Sequence, residues 1–224
     1  MAHPDFDVLF AATDAHLEAV QALRYDVFVR ELGGDGTLVD HEKGLEKDHY
    51  DPFSRHLMLL DRARGTDIED QVVGAYRLLD VAGAKQAGSF YSEHEYDLSP
   101  LLETNRKLLE LGRSCLHRDY RGGTAMFHLW SALAKHILAE KVDVLFGVAS
   151  FHGTDVDALA QPLALLHHRH LAPAALRVRA QHPSVPTNVI SENQLDRKAA
   201  MVQIPALIKA YLRLGGALGE GAFL

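Results

Sequence analysis

Between Lys107 and Trp130 the chain reads KLLELGRSCLHRDYRGGTAMFHLW, and this stretch restricts the fold more than any other. Lys107 to His117 is a short, mostly apolar run, the pattern of a buried strand. From Thr124 onward, Met126, Leu129, Trp130, Leu133 and Ile137 recur at helical spacing. Tyr120-Arg121-Gly122-Gly123 joins the two. A strand that turns through glycines into a helix N-terminus brings backbone N–H groups to the positive end of the helix dipole, a place suited to a phosphate. The strand itself carries Glu110 and Arg113, and charges inside a buried segment need partners or a role. The cleft beside this strand is where chemistry is expected.

In a regular strand, residues three apart point to opposite faces, so Glu110 and Arg113 could not serve one cleft. A bulge at or near Gly112 would return both to the same side, and glycine inside a strand often marks one. The same bulge would leave backbone N–H groups unpaired around Ser114 and Cys115, where they could donate to a developing oxyanion.

The rest of the chain supplies a mixed order of elements. Phe6 to Ala11 reads as a strand, and Thr13 or Asp14 caps a helix with Leu17, Val20, Leu23 and Val27 on one face. Glu31 to Phe53 loses periodicity, breaks at Gly33-Gly34-Asp35-Gly36 and turns acidic at Glu46, Asp48 and Asp51; long irregular segments of this kind are often binding loops. Arg55 to Asp61 and Gln71 to Leu79 predict a hairpin. After the central helix, Val142 to Ser150 predicts a strand and Asp155 to His170 a helix, with Pro162 in its first turns. Leu176 to Ala180 predicts a strand, His182 to Asn188 a loop, and Pro205 to Leu214 a last helix ended by Gly215-Gly216. Such an order predicts an α/β fold with a mixed central sheet flanked by helices, and a parallel step at the strand–helix–strand unit 107–150. It fits a GNAT-like acyltransferase fold, read as a single domain over 1–224.

Composition narrows the function classes. A chain of 224 residues, 47% hydrophobic and 24% charged, is long enough to bury a full core. Its one cysteine, Cys115, excludes an internal disulfide framework and a cysteine-based zinc cluster. No apolar signal stretch follows Met1, and no apolar run is long enough to span a bilayer, which predicts a cytoplasmic protein. The net charge of −7 argues against nucleic acid. Its distribution is uneven: residues 1–70 hold 16 acidic against 7 basic side chains, whereas 161–224 hold 3 against 7. An acidic front could attract a small cation, and a basic back an anionic carrier protein or membrane surface; an inert, uneven surface is the alternative. His167, His168 and His170 are adjacent rather than at i and i+4 on one helix face, so no metal site is expected from them.

Several segments together resemble the bacterial ornithine N-acyltransferases: LRYDVFVRELG at 23–33, DHYDPFSRHLMLLD at 48–61, VVGAYRLL at 72–79, FYSEHEYDLS at 90–99, LLELGRSCLHRDYRGG at 108–123, FGVASFHGTD at 146–155, LHHRHLAP at 166–173 and PALIKAYLRLGG at 205–216. The resemblance implies transfer of a 3-hydroxyacyl chain from acyl carrier protein to the α-amine of L-ornithine, giving lyso-ornithine lipid. Related enzymes acylate glutamine or other amino acids. The co-substrate it implies is acyl-ACP with its 4′-phosphopantetheine thioester, with no bound cofactor, and a lipid product also suggests peripheral contact with the inner membrane. Family members continue past the glycine-rich stretch into a further strand segment, so the resemblance implies a chain cut short at Phe223-Leu224.

A more distant likeness is to the acyl-homoserine lactone synthases, whose pattern maps onto Arg24, Phe28, Asp48, Asp51, Arg77, Phe90, Glu110 and Arg113. An enzyme of that kind is the alternative, as is an inactive GNAT-like partner-binding module. N-acylation needs an amine held, deprotonated and aimed at a thioester whose oxygen becomes an oxyanion. Glu110 is the candidate base, directly or through a water, or else an ion-pair partner for an arginine. Arg113 and Ser114 complete the predicted catalytic set. Asp48 and Asp51 would bind ornithine's ammonium groups or order the loop; Arg24, Arg77 and Arg113 would hold the substrate carboxylate or knit the loop acids to the strand. Phe28 and Phe90 are the remaining substrate-binding candidates. Arg121, Gly122 and Gly123 would meet the phosphopantetheine; where the wider superfamily's loop resembles Arg/Gln-x-x-Gly-x-Gly/Ala, Thr124 and Met126 here fill the two small positions, which favours a carrier's single phosphodiester over the CoA diphosphate.

Overall fold

A computed structural model describes residues 3–224. Along the chain come β1 (Phe6–Phe10), α1 (Asp14–Arg24), β2 (Arg55–Asp61), α2 (Ile68–Gln71), β3 (Val72–Asp80) and α3 (Val81–Ala87). Then follow β4 (Tyr96–Asp97), α4 (Ser99–Leu102), β5 (Leu108–Leu116), α5 (Ala125–Glu140), β6 (Val144–Phe146) and α6 (Val156–His170). Last are β7 (Arg179–Ala180), β8 (Ser184–Val185), α7 (Arg197–Gln203), α8 (Ala206–Arg213) and β9 (Ala222–Phe223). These form two compact units, one of the described residues up to Phe90 with Lys107–Gly147, the other of Tyr91–Arg106 with Val148–Leu224.

The first unit is a five-stranded sheet in the order β1-β2-β3-β5-β6, antiparallel except for the parallel β5–β6 pair. This is the expected mixed sheet with its parallel step. Alternation along the strands, shifted by one residue within β5, sends Leu57, Leu59, Tyr76, Leu78, Leu109 and Leu116 to one face, where they bury against Leu129 and Leu133 of α5. Met58, Leu60, Ala75 and Cys115 face the other way and pack on Ala19, Val20, Leu23 and Val27. Thr13 caps α1 as expected, accepting from the His16 N–H. Beyond Arg24 the helix widens into a π-helical stretch, Tyr25–Glu31, before Gly33 turns left-handed at φ 71°.

The predicted strand from Val142 to Ser150 is three residues long. Its pairing with β5 stops at Glu110 opposite Phe146, and at Gly147 the two backbones pass so closely that a Cβ there would lie 2.2 Å from Leu111 O. β6 then parts from β5 while β5 runs on to Leu116. Gly147→Ala is expected to force this junction apart and lower stability by about 1–3 kcal/mol. Gly36→Ala, whose Cβ would make only ordinary contact with Val39, is the control. Thermal unfolding of both variants checks it.

In the second unit α6 forms despite Pro162, with Asp155 capping its N-terminus. Leu165 and Leu166 pack on Ala200 of α7, Ile208 of α8 and Ile204 between the two. The strand expected over Leu176 to Ala180 is reduced to β7, which pairs with β4. The expected loop at His182 to Asn188 contains β8, paired with β9, because its partner lies nearly 40 residues away in sequence and leaves no local periodic signal. Helix α8 ends at Gly215, φ 87°, as expected. Among the described residues no helix is long and apolar enough to cross a membrane.

Candidate active site

The sheet face that carries α1 also carries a buried cluster of opposite charges. Arg24, the last residue of α1, has no exposed surface, and its Nη1 donates to Asp51 Oδ1 at 2.7 Å while Nε and Nη2 meet Glu46. Gln21, one turn earlier, donates to the other Asp51 oxygen at 2.9 Å. From β3, Arg77 pairs with Asp48 and reaches Asp51 Oδ1 at 3.3 Å. From β5, Arg113 sends Nε to Glu46 at 3.1 Å and Nη2 to Asp48 at 2.8 Å. Three guanidinium groups thus meet three carboxylates, a balance that makes burial of six charges tolerable. His56 Nε2 adds a contact with the Asp51 carbonyl at 3.1 Å. The irregular, acidic segment expected over Glu31 to Phe53 is ordered by these pairs.

β5 carries a bulge. Gly112 lies opposite Arg77 and Cys115 opposite Ala75, so Arg113 and Ser114 together face Tyr76. The interruption falls one residue beyond Gly112, and Arg113 itself takes the left-handed backbone conformation, φ 50°. Residues directly opposite share a face, so Glu110 (opposite Leu79) and Gly112 (opposite Arg77) lie on the charged side. The bulge swings the Arg113 side chain to that side as well. Glu110 is 4% exposed. Tyr50 stands beside it: Arg77 lies over the Tyr50 ring at 5.4 Å, its hydroxyl is 3.1 Å from Ser89 Oγ, and burial, then the Glu110 charge, push the phenol up. Ser114 Oγ is enclosed and makes no hydrogen bond among the described residues.

Of the other predicted residues, Phe90 borders this cluster, its carbonyl accepting from the Tyr50 hydroxyl at 3.4 Å. Phe28 packs on the apolar core beneath α1, and Phe90 is buried with its ring 5.0 Å from Phe146. Arg121 sits in the turn before α5, where Nε and Nη2 donate to Leu116 O at 3.1 and 3.0 Å and Nη2 pairs with Glu31 at 2.8 Å. Gly122 is left-handed at φ 79°, and no side chain caps the first turn of α5. Tyr120, donating to Asp61 at 2.6 Å, anchors the turn to the sheet. Cys115 is buried and its thiol is pushed up to about 12 by that burial, which leaves it un-ionised and poorly suited to carry an acyl group. His167 and His168 make hydrogen bonds to Thr187 Oγ1 and Ile190 O.

In the sequence Glu46 stands out only as part of an acidic stretch, and Gln21, Tyr50 and His56 are not among the predicted site residues. Gln21 and Arg24 were detectable as polar residues on the apolar face of α1. Nothing local marks the others.

The cluster sets an acid limit. Burial alone would raise Asp48, but the charge and hydrogen bond of Arg77, helped by Arg113 and Arg24, outweigh it and hold the carboxyl at about 2. Burial keeps His56 below its ordinary value. A depressed carboxylate contributes stability that is present above its ordinary 3.8 and lost as pH falls toward 2, here on the order of 2 kcal/mol. A histidine buried neutral loses its contribution as pH drops below 6.5, because the unfolded chain then takes the proton first. Urea unfolding across pH should therefore show stability falling in two stages, below about 6.5 and again below about 4. A flat profile from 6.5 to 4 would remove His56 from the account.

Residues 23–131 match the family model described as an acetyltransferase (GNAT) domain. Over 219 residues, 98% of this chain and 84% of the relative, the sequence is 54% identical to the L-ornithine N(alpha)-acyltransferase of Rhodobacter capsulatus. It is 35% identical to that of Brucella abortus, over 97% of this chain and 79% of the relative. Among solved structures, the AHL synthase LasI matches 66% of this chain and 74% of its own at 20% identity with a TM-score of 0.47, a likeness too slight to add to the assignment. GNAT acyltransferases take their acyl group from a thioester, and the two carboxylates and arginines around the β5 bulge stand in the part of the chain that the family model matches. The chain belongs to the L-ornithine N(alpha)-acyltransferase family, built on a GNAT acyltransferase fold.

Proposed function

We propose that the chain, acting as one acyltransferase domain over 1–224, moves a 3-hydroxyacyl group from acyl carrier protein to the α-amine of L-ornithine, giving lyso-ornithine lipid. The observation that carries this reading is the 54% identity to an ornithine acyltransferase over nearly the whole chain. The bulge supports it chemically, since it sets Glu110 and Arg113 on one side of β5.

In the reaction the neutral amine attacks the thioester carbon. Glu110 removes the proton that the nitrogen sheds, directly or through a water. Backbone N–H groups of the bulge, around Ser114 and Cys115, donate to the oxygen as it becomes an oxyanion, and the Ser114 hydroxyl is a further donor. Collapse of that intermediate forms the amide and expels the phosphopantetheine thiolate, which takes up a proton. Arg121, Gly122, Gly123 and the open first turn of α5 receive the phosphodiester.

For the amino acid, Asp48 is the better-placed partner of an ammonium group, its side chain being 17% exposed against 3% for Asp51. Arg24, Arg77 and Asp51 serve by ordering the acidic loop, while Phe28 and Phe90 wall the substrate space. The basic excess over residues 161–224 suits peripheral contact with the inner membrane, to which an amphiphilic product must pass.

The donor is tested by turnover of ornithine with matched 3-hydroxyacyl-ACP and 3-hydroxyacyl-CoA. A kcat/KM at least about tenfold higher with the carrier, a difference of about 1.4 kcal/mol, is expected. Equal turnover would overturn the carrier assignment and leave the amine chemistry standing.

A further inference from the structure

We infer that Glu46 is a positioning residue for acyl transfer: with Asp48 it clamps the guanidinium of Arg113, and the clamp holds the backbone of Arg113 in the conformation that opens the β5 bulge. This rests on the reading above only where it assigns the bulge a role in the reaction.

Arg113 stands at the first of the two bulged positions with φ 50°. A left-handed backbone at this position is ordinarily supplied by glycine, because a Cβ crowds the following carbonyl there. The chain has a glycine next door, at Gly112, yet that residue is not among the left-handed ones. An arginine stays in such a conformation only where its surroundings over-determine it. Two carboxylates do so here, Glu46 Oε1 at 3.1 Å from Nε and Asp48 Oδ2 at 2.8 Å from Nη2.

Glu46 is itself held by several partners. Its side chain is 9% exposed and also meets Arg24, which is wholly buried, and its backbone N–H donates to Gln21 O at 3.1 Å. The force on Arg113 is therefore delivered from α1, through Glu46, across 67 residues of sequence. Arg77 holds Asp48 in the same way. With the clamp gone, residue 113 relaxes toward the extended conformation and the strand closes its register. The Arg113 side chain then leaves the charged side, and the backbone donors around Ser114 turn from the cleft.

Glycine gives the test its discrimination, since it adopts φ 50° freely and needs no clamp. Arg113→Gly also leaves Glu46 paired with Arg24 and Asp48 with Arg77, so no buried carboxylate is stranded. Arg113→Ala is expected to lower kcat at least about tenfold further than Arg113→Gly, with KM for acyl-ACP within about twofold in both. Glu46→Gln should lower kcat about 10–100-fold, and Glu46→Gln combined with Arg113→Gly should be no slower than the slower of the two singles. Equal loss in the alanine and glycine variants would overturn the proposal, because the guanidinium itself would then be what the reaction needs.

A second arm does not depend on turnover. In the NMR spectrum, the Cα and Cβ shifts of residue 113 should move from left-handed toward extended values in Glu46→Gln. Unmoved shifts in a folded variant would overturn the clamp whatever the substrate proves to be. If Glu46→Gln does not fold, the Arg113 pair decides alone.

Discussion

Glu110→Gln is expected to lower kcat for N-acylation by about 10²–10⁴-fold while leaving KM for the acyl donor within about twofold, the signature of losing a proton acceptor that acts only in the transition state. The substitution keeps the shape of a side chain that is 4% exposed and lies on the same face as Arg77, so packing changes little. What it removes is the ability to take the amine's proton. Steady-state kinetics with the melting temperature measured alongside check it. An unchanged kcat in a folded variant would take Glu110 out of the chemistry and leave it a structural partner in the buried cluster.

The largest effect on stability is expected at Arg24. Arg24→Ala should cost about 3–5 kcal/mol, because it leaves Glu46 and Asp51 without the cation they share while both remain out of water. Arg24→Lys should recover only part of this. A lysine ammonium is a point charge and cannot meet two carboxylates with the forked geometry that Arg24 uses. Urea unfolding at pH 7 measures both. A loss under about 1 kcal/mol for the alanine variant would mean that the cluster relaxes around the gap, and the acidic loop would then owe its order to other contacts.

The core of the first unit was legible in the sequence because its signals are local. The nearly continuous apolar runs of Arg55–Asp61 and Val72–Asp80 mark strands buried on both faces, and the helical spacing of Leu129 and Leu133 marks a helix burying one. The length of β6 was not legible. Val142 to Ser150 is nearly continuously apolar, but pairing stops where the backbone of Gly147 passes so close to Leu111 that a Cβ would not fit, an approach no periodicity reports. The site divides in the same way. Its residue types were readable, since buried-looking arginines and clustered acids stand out, but which acid meets which arginine depends on pairings 22 to 67 residues apart. The bulge was readable from the need to bring Glu110 and Arg113 together, and it lies where expected, next to Gly112. Propensity points to Gly112 for a left-handed backbone, whereas tertiary ion pairs impose it on Arg113.

The central claim, acylation of the ornithine α-amine, is tested most directly by one incubation of the purified chain with 3-hydroxyacyl-ACP and an equimolar mixture of amino acids, with the products identified by tandem mass spectrometry. The account predicts a 3-hydroxyacyl-ornithine acylated at the α-nitrogen as the dominant product. A dominant acyl-glutamine or another acyl-amino acid, or acylation at the side-chain amine, would contradict it.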